Sequence, residues 1–424
     1  MRQYVPSPYA TPCRVCWSDW TLRRRSPEAP VNPRRLPRAV LVLGAVSFCN
    51  DLASEMVTPL IPVLLAAVLG AGPVALGVIE GTAETIAALL KLWAGRHSDL
   101  WGGRRKPYVV GGYLLSNAVR PLFGLAGSWP VIAALRGVDR IGKGLRTAPR
   151  DALLADATPP ELRGLAYGFH RAMDNGGAMA GALLAAACLA WTPLSLTQVI
   201  LYSAVPGVLV ALLVLFGLQD PSPATVPAAT APPLLWRGLS PELRRLLPVI
   251  GLFPLARASE TFIILRGHEL GVGAAGLLLL WAAMSAMKAI TAWLGGGLSD
   301  RIGHRATTGL AWISFAIAFA GLSGVGSLAG LAVAGILYGI LAGMGEGAER
   351  ALIGQLAGAA QRGTAFGWYN LVTGAVALPS GLLFGSLWQW AGGGVAFAAA
   401  AGISAVAAAL LALELRRPGG GQPE

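Results

Sequence analysis

The feature that most restricts this chain is a succession of long apolar segments with only short connections between them. A helix needs about 20 mostly apolar residues to cross the hydrocarbon core of a bilayer. Twelve such segments run through the sequence, at 39–69, 73–96, 107–127, 130–155, 164–190, 194–217, 246–267, 272–298, 306–325, 328–350, 363–389 and 393–414. In lipid the backbone has to satisfy its own hydrogen bonds, so helical spans of this length predict an all-α membrane protein. Composition agrees. Only 13% of the 424 residues are charged, against about a quarter in soluble domains. The 56 glycines suit helices that pack closely in lipid.

The connections alternate in character. One set is basic: the N-terminal tail (Arg23, Arg24, Arg25, Arg34, Arg35, Arg38), the 96–106 loop, the 156–163 loop with its flanks, the 218–245 linker, the 299–305 loop, the 351–362 loop and the C-terminal tail (Arg416, Arg417). The other set is short, rich in Gly, Pro and Trp, and nearly free of Lys and Arg. Basic loops stay in the cytoplasm. Both termini are therefore expected inside a bacterial or archaeal cytoplasmic (inner) membrane, which requires an even number of spans. The net charge of +12 is spread over these loops rather than gathered on one soluble face, so no nucleic-acid partner is expected. The expected partners are the lipid bilayer, a small-molecule substrate and protons, with the chain acting as a monomer.

Residues 1–38 are rich in Pro and Arg and predict a disordered cytoplasmic tail, with an untranslated upstream extension as the alternative reading. The first apolar span, from Val40, is too long for a signal-peptide core. Cys13 and Cys16 form a lone C-x-x-C without the second pair that a zinc site needs, while Cys49 and Cys188 fall in apolar spans. No metal and no cofactor is expected. Residues 219–245, rich in Pro and Ala at first, read as a cytoplasmic linker between bundles at 39–218 and 246–414, with a tail from 415. Within the linker, Ser240-Pro241-Glu242 carries a helix-start signal, a Ser cap followed by Pro in the first turn.

The two parts repeat. Arg163-Gly-Leu-Ala-Tyr-Gly-Phe169 matches Arg362-Gly-Thr-Ala-Phe-Gly-Trp368 at an offset of 199 residues. Gly95-x-x-x-Asp99 matches Gly296-x-x-x-Asp300 at 201, and Phe48 through Ser54-Glu55 matches Phe253 through Ser259-Glu260 at 205. Three anchors in one order predict two pseudo-symmetric six-helix bundles, the plan of transporters whose substrate site lies between halves near the midplane.

The loop Gly296-Gly-Leu-Ser-Asp300-Arg301-Ile-Gly303-His304-Arg305 resembles the G-x-L-A-D-R-x-G-R-[RK] motif of the major facilitator superfamily. The first-half copy, Gly95 to Lys106, departs from it: His97 replaces the usual Leu, and one extra residue precedes Gly103-Arg104-Arg105-Lys106. Arg140-x-x-Lys143-Gly144 is similar to the family's R-x-x-Q-G, with Lys at the Gln position. The resemblance covers about residues 39–414. Within the superfamily the whole pattern resembles a prokaryotic branch, on the marks Ser54-Glu55, Asp139-Arg140-x-Gly-Lys143-Gly-x-Arg146, Phe169-His170-Arg171-x-Met-Asp174 and Gly345-Glu346-Gly347-x-Glu349-Arg350. The resemblance implies alternating access, gating by the loop motifs, and a part in proton coupling for Arg140.

Charges inside spans are the candidates for chemistry, because each costs about 2.5–3.5 kcal/mol at the bilayer centre on insertion scales. Asp51 and Glu55 stand one turn apart on the first span, and two like charges so placed are suited to carry a coupling proton. Buried ion pairing with Arg140 or Lys143 is the competing reading. Glu80, Glu84 and Lys91 lie on one face of the second span. The fourth span carries Arg136, Asp139, Arg140, Lys143 and Arg146, a positive stretch whose cations need a partner on another helix or on an anionic substrate. His170 and Asp174 are one turn apart on the fifth span and suit a proton relay or an inner-gate network. The second half adds Arg257, Glu260, Lys288 and Glu346. Gly95, Asp99, Arg104, Arg105, Gly296, Asp300, Arg301, Gly303, Arg305, Glu349 and Arg350 are assigned to gating. Asp99 and Asp300 are placed just past helix ends, where they meet helix N-termini, and the arginines are placed to pair with Asp156 or Glu161.

The sequence holds no GxxxxGK[ST] motif, and no acid, base and nucleophile converge, so neither ATP drive within this chain nor an enzyme is expected. The expected function is proton-coupled export of a drug or metabolite. Uptake of an anionic metabolite or chelate is the alternative, and a non-transporting receptor or scaffold the remote one.

Overall fold

The computed structural model describes residues 36–101, 104–158, 163–218, 236–257, 259–345, 349, 352–353, 356 and 362–416, and those from Pro37 onward lie in one compact unit. The N-terminal tail with Cys13 and Cys16, most of the linker, Glu346, Arg350 and the end of the chain fall outside these residues. So do the side chains of Asp99, Asp300 and Arg301.

All regular structure among the described residues is helical. The first six spans are built from α1 (Arg38–Glu55) with α2 (Ile61–Val63), α3 (Pro73–Leu100), α4 (Lys106–Val119), α5 (Trp129–Asp156), α6 (Arg163–Trp191), and α7 (Leu196–Tyr202) with α8 (Ala204–Leu212). The last six are α9 (Pro241–Ala256) with α10 (Thr261–Glu269), α11 (Ala274–Ile302), α12 (His304–Ser323), α13 (Leu328–Gly345), α14 (Arg362–Ala391) and α15 (Gly393–Arg416). Among the described residues, nine spans are long and apolar enough to cross a membrane by length and composition alone. Of the other three, two fall short for physical reasons. The third tightens into a 3-10 segment, Arg120–Leu125, where Pro121 removes an amide donor. The fourth carries the charged stretch of α5. The tenth is described over only 18 residues.

Local chemistry sets the ends. Ser240 caps α9 by accepting the amide of Leu243 at 3.2 Å, with Pro241 next in line, as its sequence signal predicts. Gly303 has φ +87°, a conformation open to glycine, and from it α12 starts. Asp99 and Asp300 correct an expectation: α3 and α11 run on through them to Leu100 and Ile302, because no breaker intervenes before the glycines that follow.

The span-one and span-seven repeats both end on a break. α1 stops at Glu55 and leads into a 3-10 turn at Thr58–Leu60, with Pro59 and Pro62 preventing a regular continuation. α9, which holds Pro254, stops at Ala256, and helix resumes as α10 after Glu260. The repeated Ser-Glu pair therefore marks the point where each span is interrupted.

The halves meet most closely along α3 and α14, which run antiparallel in direct backbone contact. Gly77 faces Gly381, Gly81 faces Ala377 and Leu378, and Gly385 faces Pro73. A Cβ on Gly81 would stand 2.8 Å from the Ala377 carbonyl oxygen, so side chains are excluded there. Thr85 fastens the seam by donating to the Gly374 carbonyl at 2.8 Å. At the end away from the basic loops, Val63, Ala182, Ile264, Leu277, Trp281 and Ala282 form an apolar cluster shared by both halves.

Candidate functional site

Glu80 of α3, Arg120 of the 3-10 segment after α4, and Arg136 and Asp139 of α5 form one buried network. Arg136 is held by Glu80 through Nε at 3.1 Å and Nη2 at 3.2 Å, a bidentate pair that neither side chain exposes by more than 6%. Its Nη1 lies 3.8 Å from Asp139 and 3.4 Å from the Thr58 hydroxyl at the first-span break. Asp139 in turn takes Nε of Arg120 at 3.2 Å. Arg120 Nη1 donates to the Asn50 carbonyl, the Asn50 side chain and the Asn117 side chain at 2.8, 3.0 and 3.1 Å. Arg146 donates to the Ser116 hydroxyl at 2.6 Å and lies over the Tyr113 ring.

Asp51 accepts Nδ2 of Asn50 at 2.8 Å. Arg120 and Arg146 are cations that act on it, together with the carboxylates of Asp174 and Glu55. Sequence reasoning missed Arg120. The available signal was a lone arginine within an apolar span, three residues after Asn117.

Close packing of α6 on α1 brings the fifth-span pair to Asp51. Gly177 lies on the Phe48 backbone, where a Cβ would stand 2.9 Å from the Phe48 Cα. Asp174 accepts the Ser47 hydroxyl, and His170 Nδ1 lies 3.6 Å from the other Asp174 oxygen. His170 Nε2 is buried with no hydrogen-bond partner among the described residues.

Arg140 reaches Glu84 at 3.7 Å, and Glu84 leaves 46% of its side chain exposed. Lys143, Lys91 and Arg136 also act on Glu84. In the second half, Glu260 is paired with Lys288 Nζ at 2.6 Å, and Lys288 lies 5.8 Å from the Trp281 ring centre. Arg257 stands exposed at the seventh-span break, in the field of Tyr338, Glu349, Tyr369 and Glu260. Glu349 accepts Nε1 of Trp312 at 3.4 Å.

Among the described residues, two of the mid-span contacts between the halves involve these charged groups. Trp281 Nε1 donates to Glu55 at 2.7 Å, and the Ser259 hydroxyl lies 3.5 Å from Glu80. The two predicted glutamates of the repeat are thus both held from α11, Glu55 by Trp281 and Glu260 by Lys288.

At the basic-loop end, Arg105 pairs with Asp156 at 2.6 Å and Arg305 pairs with Glu242. Each of these pairs lies within one half. Arg104 lies over the Trp101 ring at 5.9 Å, and Gly95 packs beside Ala148. Among the described residues no group of three His, Cys, Asp or Glu is placed to hold a metal.

Known proteins share this architecture. The chain is 32% identical over 370 residues to an MFS-type transporter of Methanocaldococcus jannaschii, covering 84% of this chain and 90% of that one. The structure superposes on the nucleoside transporter NupG with a TM-score of 0.74 at 11% identity, over 89% of this chain and all of that one. It matches the human organic anion transporter MFSD10 with a TM-score of 0.63 at 18% identity, over 88% of this chain and 99% of that one. The family model of the Major Facilitator Superfamily matches residues 43–264 and 255–424, and the chain belongs to that superfamily of multi-pass membrane transporters.

Proposed function

We propose that the chain is a proton-coupled secondary transporter that exports a small solute across the cytoplasmic membrane by alternating access. In this reading it works as a monomer of two bundles, 39–218 and 246–414, with the termini and the 219–245 linker in the cytoplasm.

The observation that carries the reading is the carboxylate set between the first and fifth spans. Asp174 takes the Ser47 hydroxyl, Asp51 lies one helical turn from Ser47, and Glu55 lies one turn beyond. His170 stands beside Asp174. Carboxylates gathered inside a membrane-spanning bundle are able to take up a proton and release it as their surroundings change. The coupling between proton and movement is supplied by Glu55, which belongs to this set and also binds Trp281 of the other half.

A second support is where the halves touch. Trp281–Glu55, Ser259–Glu80 and Thr85–Gly374 lie at mid-span, and Gly72 lies against Gln389 at the end away from the basic loops. This is the arrangement expected of a transporter closed to the outside. Uptake of an anionic metabolite or chelate would use the same site, and the direction of proton-driven flux separates the two.

The test uses inverted membrane vesicles with an acidic lumen, incubated with a small-molecule cell extract and read by mass spectrometry. Vesicles containing the protein are expected to retain at least one solute that control vesicles do not, and a protonophore should release it. Asp51→Asn and Glu55→Gln should abolish that retention without loss of folded protein. Wild-type retention in both variants overturns proton coupling through this set, and no retained solute in the wild type overturns export.

A further inference from the structure

Near the basic-loop end of α5 stand two charged residues that the site above does not use, Arg150 and Asp151. Arg150 donates to Asp151 Oδ1 from Nε at 3.0 Å and from Nη2 at 2.8 Å. Asp151 lies in the last two turns of α5, which ends at Asp156, and leaves 46% of its side chain exposed. The start of α6 lies against this point. The Tyr167 hydroxyl donates to the Asp151 carbonyl at 2.8 Å, and His170 follows one turn later on α6. Arg150 and Asp151 both act on the His170 imidazole, together with Asp174 and Arg171 of its own helix. Asp174 also acts on Arg150, as does Tyr113 of α4.

His170 is 5% exposed, and its two nitrogens meet different surroundings. Nδ1 lies 3.6 Å from Asp174, which in turn takes the Ser47 hydroxyl and acts on Asp51. Nε2 is buried and has no hydrogen-bond partner among the described residues. Buried polar atoms normally have one, from protein or from water. A neutral imidazole presents one nitrogen that donates and one that accepts, so it is able to take a proton on one edge and give one up on the other. From mid-span toward the basic-loop end the titratable groups therefore follow in one order: Glu55, Asp51, Asp174, His170 and the half-exposed Asp151.

We propose that Asp174 releases its proton to the cytoplasm through His170 and Asp151. This rests on the proton-coupled reading above and names the route by which that carboxylate set discharges. The carboxyl proton of Asp174 moves to Nδ1 of the imidazole. The proton on Nε2 leaves through a bridging water to the Asp151 carboxylate, which yields it to the cytoplasm. One proton enters the ring and one leaves, and the imidazole regains its first tautomer before the next turnover. Arg150 is a positioning residue. Its two bonds occupy Oδ1 of Asp151 and leave Oδ2 to take the proton.

The inverted-vesicle experiment tests the route, with the cell extract as probe. Two quantities are read by mass spectrometry. One is retention driven by the acidic lumen. The other is exchange of isotope-labelled extract in the bath against unlabelled extract inside, without a pH gradient. Asp151→Asn and His170→Gln should each lower gradient-driven retention at least threefold and leave exchange unchanged. Asp151→Glu should restore most of the retention. Because the two groups act in series, Asp151→Asn combined with His170→Gln should be no slower than the slower single variant. Wild-type retention in both single variants, losses that multiply in the double variant, or loss of exchange in both overturns the route and leaves proton coupling through Asp51 standing. Wild-type retention that a protonophore does not release removes the coupling and the route together.

Discussion

Trp281 of α11 donates its indole N–H to Glu55, the last residue of α1, at 2.7 Å across the boundary between the halves. The partners are separated by 226 residues in sequence. The bond closes on a residue at the first-span break, so it holds together two bundles at the point where one of them is able to bend.

Trp281→Phe keeps the ring and removes the donor. A hydrogen bond to a charged group contributes about 1.5–3 kcal/mol, enough to move a two-state equilibrium about tenfold or more. The expected result is a population open at the end away from the basic loops. Spin labels at Val68 and Leu328, both exposed at that end, should show a longer distance component in pulsed EPR. An unchanged distance distribution would show that the apolar cluster around Val63 and Ile264 closes that end without the bond.

Arg120 is the second test. It satisfies Asp139, Asn50 and Asn117 together and is 4% exposed. Removing one partner of a buried ion pair costs about 3–5 kcal/mol, because the other charge is left without a counter-ion. Arg120→Ala should lower the melting temperature in detergent by many degrees. Arg120→Ala combined with Asp139→Asn should recover part of the loss, which separates a stranded charge from simple lost packing.

Gly81→Val tests the seam. Its Cβ would fall 2.8 Å from both the Ala377 carbonyl oxygen and the Leu378 Cα, which are backbone atoms that cannot rotate away. The helices have to separate, and the Thr85–Gly374 bond is lost with them. The variant should be produced and inserted but should lose transport by at least tenfold. Normal transport by Gly81→Val would show that the α3–α14 contact is not needed in the cycle.

How far the sequence disclosed this arrangement depends on distance along the chain. Features set by neighbours were legible: the Ser240 cap, and the His170–Asp174 pair one turn apart. The repeated Ser-Glu pairs were visible as a repeat, but their place at helix breaks was not, because a break follows from how Pro59, Pro62 and Pro254 are accommodated in three dimensions. Ion partners between spans were hidden. Glu80 and Arg136 were both visible as charges, yet nothing local says that α3 and α5 stand side by side in that register. Arg120 was hidden further, since its partners Asn50 and Asn117 are neutral and a search for opposite charges passes over them.

The last prediction concerns Asp174, which binds Ser47 of α1 from the neighbouring α6. If the proton of the transport cycle is held between Asp51 and Asp174, Asp174→Asn removes the second carboxylate while an amide oxygen remains to accept the hydroxyl. Packing on Gly177 should then persist and the protein should stay folded. A solute gradient alone should still drive exchange, because exchange needs the substrate site and the moving halves but no net proton transfer. Flux driven by a pH gradient should fall at least tenfold. His170 stands on the same oxygen pair, so His170→Gln should reduce proton-driven flux less, provided that it assists transfer and does not hold the proton. Loss of exchange and proton-driven flux together in Asp174→Asn would instead identify the Ser47–Asp174 bond as part of the frame that keeps the first and fifth spans in contact.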